Sequence, residues 1–228
     1  MKNNNTAIKE KDRYGLGMVL GVVCALGALA LLAGYAYTFF DTLEDVYNAL
    51  LNTVRVIVWV AFAAFTLASG IKGKALVNSK GILWALIAAC GLRILVSLLF
   101  LISARSDFYA LTASHSGLDT LHQLSACILY AALGICAYCI SRGILNTAKW
   151  AAVLTVVMIP ANMMCYCFAY IDALSAYYSY ITDVLTYTLP AALGNSFVEI
   201  AGGISLLVYC IKYDKKEYFQ DKHKNTKK

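Results

Sequence analysis

Apolar residues do not alternate with polar ones along this chain; they come in long runs. Six runs stand out, at residues 15–40, 54–71, 82–103, 124–141, 150–171 and 184–211. A helix needs about 20 residues to cross a hydrocarbon core about 30 Å thick. The second and fourth runs are at the short end of that length, and the first and last leave room for tilt. The pattern predicts an all-α integral membrane protein, a bundle of six transmembrane helices. Residues 1–14 read as a basic N-terminal tail, 15–211 as the membrane domain and 212–228 as a basic C-terminal tail.

The first run has basic residues before it, and Gly34-Tyr35-Ala36 resembles a signal-peptide cleavage site. Signal-peptide cores span about 7–15 residues. This run is longer, so an uncleaved first helix is expected.

The polar segments between the runs set an orientation. Lys2, Lys9, Lys11 and Arg13 precede the first run, Lys72, Lys74 and Lys80 follow the second, and Arg142 and Lys149 follow the fourth. Lys212, Lys215, Lys216, Lys222, Lys224, Lys227 and Lys228 follow the sixth. The other three connections carry Asp41, Glu44, Asp45, Asp107, Asp119, Asp172 and Asp183, with only Arg55 at a helix edge and Arg105. Positive charge collects on the cytoplasmic side of membrane proteins. Both termini are therefore expected in the cytoplasm, and the plasma membrane is the expected location. Tyr35, Tyr37, Tyr166, Tyr170 and Tyr177 near one set of ends, with Trp84 and Trp150 near the other, fit interfacial aromatic belts.

Composition sharpens the picture. Of 228 residues, 61% are hydrophobic and 14% charged, against about 45–50% apolar and about 25% charged in soluble domains. The net charge of +6 lies mostly on tails and connections. That placement suits topology and anionic headgroups rather than nucleic acid. The eight cysteines all fall in apolar runs, where the thiol behaves as a small hydrophobe. Cys136 and Cys139 match C-x-x-C but lack a second ligand pair at zinc spacing. No cofactor is implied.

Two charges break the apolar runs. Arg93 lies midway along the third and Glu199 midway along the sixth. A charge at mid-bilayer costs at least about 2.5–3.5 kcal/mol, which makes each a functional-site hypothesis. Counted at 1.5 Å per residue from the basic ends of their helices, both lie at a depth of roughly 17 Å. Equal depth allows contact if the two helices are neighbours. Glu199 shares a helical face with Asn195, Ser196, Gly202 and Gly203, and Arg93 shares one with Ala89, Cys90 and Ser97. Pro160 and Asn162 fall at a similar depth in the fifth run. Arg93, Glu199, Asn162, Asn195 and Pro160 are therefore the substrate or gating candidates. A buried Arg–Glu pair can equally fasten two helices, and asparagines can act as interhelical glue.

Gly17, Gly21 and Ala25 form a small-residue stripe suited to close helix packing, as do Gly202 and Gly203. His115, Asp119 and His122 could share a helical face near the third connection. Two histidines and a carboxylate are a zinc donor set, but Gly117 interrupts the segment, and solvated bystanders are the favoured reading.

No zinc-protease H-E-x-x-H, nucleophile elbow, Walker A loop or Rossmann glycine pattern occurs. An enzyme is not expected. The leading expectation is a small transporter or permease subunit with a polar midplane site. Lacking an ATP-binding motif, it would need ion coupling or a separate ATPase as partner. The alternative is a non-transporting accessory, sensory or immunity-type protein that works through helix contacts.

Overall fold

In lipid every backbone N–H and C=O must be satisfied within its own segment or a closed sheet. Long apolar runs therefore become helices. The computed structural model describes residues 14–42, 46–103, 117–175 and 189–213. Among them are six long helices: α1 (Gly15–Thr42), α2 (Val46–Lys72), α3 (Lys80–Ser103), α4 (Gly117–Arg142), α5 (Leu145–Ser175) and α6 (Leu189–Tyr213). Each contains a stretch long and apolar enough to cross a membrane.

The helices form a closed ring. Each packs on its sequence neighbours, α6 returns to pack on α1, and α2 also reaches α6. Tyr14 seals the closure. Its ring meets Tyr209 and Tyr213 edge-on at 6.1 and 6.4 Å, and its hydroxyl donates to the Ser205 carbonyl at 3.4 Å. The start of α1 and the end of α6 thus lie together, at what is here called the tail end of the bundle.

Two connections at the tail end are short, and each turns on a glycine with positive φ. Gly73 (φ 49°) opens a single 3-10 segment, Gly73–Asn78, between α2 and α3. Its carbonyl accepts from the Tyr209 hydroxyl at 3.0 Å. Gly143 (φ 74°) ends α4. There Ile144 N–H reaches the Cys139 carbonyl at 2.9 Å and Gly143 N–H the Ile140 carbonyl at 3.0 Å. That pair of bonds is the Schellman cap, which favours glycine because a Cβ is disfavoured at positive φ.

Small residues let the helices approach. A Cβ placed on Gly21 would lie 2.6 Å from Leu67 Cα, and one on Gly70 would lie 2.3 Å from Met18 N. Gly17 faces Gly70 in the same seam, so the glycine stripe of α1 lies against α2; Ala25 is half-buried. On α6, Gly202 sits under the Phe62 ring and Gly203 under Ile159.

The outside is apolar. Val19, Leu29, Leu95, Ile102, Ile128 and Val157 are exposed, as lipid-facing residues must be. The inside is more polar than a soluble core. Thr66 and Thr155 are buried, and each donates back to its own helix, to the Phe62 and Ala151 carbonyls at 2.8 and 2.9 Å.

Candidate functional site

The interior of the ring has a polar centre. Arg93 projects from α3 and is 2% exposed; Glu199 projects from α6 and is 7% exposed. Their helices are not packed side by side, so the two residues face one another across the ring interior. Both line a cavity of about 30 Å³, together with Arg55, Trp59, His122, Tyr130, Asn162, Met163, Tyr166 and Ser196. Five of the six helices contribute, α2 to α6.

The two charges do not form a direct ion pair among the described residues. Tyr130 of α4 stands between their roles. Its hydroxyl donates to Glu199 Oε1 in a short hydrogen bond. Its ring lies beneath the Arg93 guanidinium, 5.7 Å from ring centroid to Cζ, a distance at which a cation is attracted by the ring face. Arg93 instead uses Nη1 to donate to Ser97 Oγ at 2.6 Å, one helical turn on. The Ser97 hydroxyl in turn donates to Gln123 Oε1 at 3.0 Å. This chain ties Arg93 to α4 as well as to α3.

The satisfaction is incomplete. Arg93 Nε is buried with no hydrogen-bond partner, and so are both ring nitrogens of His122. His122 is 6% exposed and its ring lies 5.3 Å from that of Tyr166. Orphaned buried donors are uncommon and costly, about 1–3 kcal/mol each and more when charged. Here they line an open space, which is where a ligand or water would satisfy them.

Arg55 completes the charge set. It lies inside α2 rather than in a connection, and its guanidinium is 5.8 Å from the Tyr166 ring centroid. It is half-buried and lines the cavity with Arg93, His122, Tyr130 and Glu199.

Of the candidates named from the sequence, Arg93, Glu199 and Asn162 meet at the cavity. Asn162 Oδ1 accepts from Ser125 Oγ at 2.8 Å, and the same hydroxyl also reaches the His122 carbonyl at 2.8 Å. Pro160 does not line the cavity. It is exposed, and α5 continues through it. The Asn195 backbone belongs to α6, but its side chain lies outside the described set, as does that of Asp119. His115 lies outside the described residues altogether. His122 is no solvated bystander: it is on α4 and turned inward. No group of three metal-ligating side chains gathers among the described residues.

Arg55, Trp59, Tyr130 and Tyr166 escaped the sequence reading. A signal was present. Arg55 and Trp59, Arg93 and Ser97, and Asn162 and Tyr166 are each four residues apart, while His122 and Tyr130 are eight apart. Such spacings place both members on one helical face. Tyr130 also borders an apolar groove on the α3–α4 side, lined by Ile87, Cys90, Ile94 and Gly134. Its ring therefore walls the polar cavity off from an apolar surface.

No protein-family model, curated protein or solved structure matches this chain.

Proposed function

We propose that this multi-pass membrane protein is a small transporter whose solute binds in the cavity between Arg93 and Glu199. The observation that carries the reading is the unfilled Nε of Arg93. A pair serving only to fasten helices would close on itself and satisfy its donors. Here each charge takes a different partner, Ser97 for Arg93 and Tyr130 for Glu199, and both face shared space. Intramembrane charges that face a cavity mark solute pathways in membrane proteins, and transporter sites lie near the bilayer midplane. In this reading Arg93 holds the solute, Arg55 adds positive charge to the lining, Tyr130 and Ser97 position the charges, and Asn162 lines the path. Energy would come from ion coupling or from a separate ATPase docked on basic connections.

The test is osmotic swelling of vesicles carrying the purified protein. They are shifted into urea, glycerol, glycine or potassium salts with valinomycin. At least one solute is expected to enter faster than into empty vesicles, and Arg93→Met is expected to abolish the difference. If folded wild-type protein speeds none of them, the transporter reading fails, and a role through helix contacts replaces it.

The same proposal places the tail end in the cytoplasm, on the strength of Lys72, Lys74, Lys80, Arg142 and Lys149. Lys74→Cys should react with a membrane-impermeant maleimide in inside-out vesicles and not in intact cells. The reverse pattern would invert the topology.

A further inference from the structure

We infer that the solute is a small monovalent anion, held by Arg93 Nε and His122. The inference rests on the transport reading of the same cavity and gives it a substrate class. Charge comes first. Two guanidiniums, Arg55 and Arg93, face one carboxylate, Glu199. With a neutral imidazole at His122, the described lining sums to one net positive charge, with Arg93 and Glu199 buried and Arg55 half-buried. An uncompensated charge in such surroundings is strongly unfavourable. A single negative charge brings the sum to zero. A cation would double the imbalance, a neutral solute would leave it, and a dianion would reverse it.

Hydrogen-bonding capacity agrees. The groups without a hydrogen bond of normal geometry are Arg93 Nε, which can only donate, and the His122 ring, which donates from one nitrogen in its neutral form and has the Asn162 backbone beside it. Both side chains are more than nine-tenths buried and line the cavity. The strongest acceptor in the cavity, Glu199, already accepts hydrogen bonds from the Tyr130 hydroxyl and from Trp59. What remains for a guest is a converging set of donors, the complement of an anion.

Size narrows the class. The cavity volume is about 30 Å³, whereas the pockets that take drug-sized ligands measure roughly 300–1,000 Å³. Sugars, nucleotides and long carboxylates exceed this space. Halide, nitrate and formate are of the right scale.

Chloride is the probe. The full chain in detergent is titrated with sodium chloride against sodium gluconate at constant ionic strength, and binding is read from broadening of the ³⁵Cl resonance. Saturable broadening is expected, reversed by nitrate and formate. Arg93→Met should weaken it by roughly tenfold or more, the loss of one charged hydrogen bond. His122→Phe should weaken it less. Both variants are checked by gel filtration and thermal unfolding. Should either misfold, competition by nitrate on the wild-type protein still decides.

Folded wild-type protein with no excess broadening overturns the anion site, and the cavity is then filled by water alone. So does broadening unchanged in both folded variants. If vesicles pass a neutral solute while chloride does not bind, transport stands and the anion class fails. If chloride binds and nothing crosses, the site stands and transport fails.

Discussion

Tyr130 is the residue on which the polar centre turns. It donates to Glu199, underlies Arg93 and walls the cavity from the α3–α4 groove. Removing only its hydroxyl separates these roles. Tyr130→Phe keeps the ring and its packing but leaves the Glu199 carboxylate short of a donor. Losing a buried hydrogen bond in this way costs about 1–3 kcal/mol, more when the partner is charged. The expected outcome is a lower unfolding temperature for Tyr130→Phe, with Tyr138→Phe as a neutral control, since Tyr138 is exposed. An unchanged unfolding temperature would show that the bond contributes nothing net. At this scale the sequence was legible for charges and silent for their mediator. Arg93 and Glu199 stand out because a charge in an apolar run is costly. A tyrosine in such a run looks like any other large side chain until its neighbour across the ring is known. Arg55 is hard to read for a related reason: near the end of an apolar run, a basic residue looks like a topology signal, and its place in the cavity lining shows only in three dimensions.

At the scale of helices, periodicity and length carried most of the information. The sequence runs coincide with the six helices because backbone satisfaction in lipid allows little else. The ends were harder to place: α2 starts at Val46, eight residues before its apolar run, because amphipathic turns can extend a helix past the hydrocarbon boundary. Glycine spacing correctly marked close approach but could not say between which helices. The seam between α1 and α2 gives a sharp contrast for test. Gly70→Ala puts a Cβ 2.3 Å from backbone N of Met18. Backbone cannot step aside as a flexible side chain can, so the helices must part, at about 1–3 kcal/mol or more for such overpacking. Gly91→Ala meets nothing within 4 Å and should stabilise by about 0.5–1 kcal/mol through helix propensity. Thermal unfolding of both variants in the same detergent checks this; a Gly70→Ala protein as stable as wild type would show that the seam is looser than drawn.

For the whole molecule, what matters is that α3 and α6 face one another across a closed ring rather than packing side by side. Equal depth from sequence was the right clue to a shared layer, yet depth says nothing about ring order. That order comes from the packing of α6 on α1 and α2, set by Tyr14, Gly202 and the α1–α2 seam. The result is a charge-bearing space instead of a closed pair, and this distinguishes a working site from a fastener. The most direct measurement is a charge swap read by both assembly and flux. Arg93→Glu and Glu199→Arg alone each unbalance the cavity and should impair folding, by about 3–5 kcal/mol for an orphaned buried charge. The double variant restores the charge sum. Gel filtration, thermal unfolding and vesicle swelling are compared across wild type, both single variants and the double variant. The expected result is that the double variant regains assembly relative to either single change while solute entry stays at the level of empty vesicles. Recovery of assembly together with full solute entry would contradict the assignment of separate roles to Arg93 and Glu199.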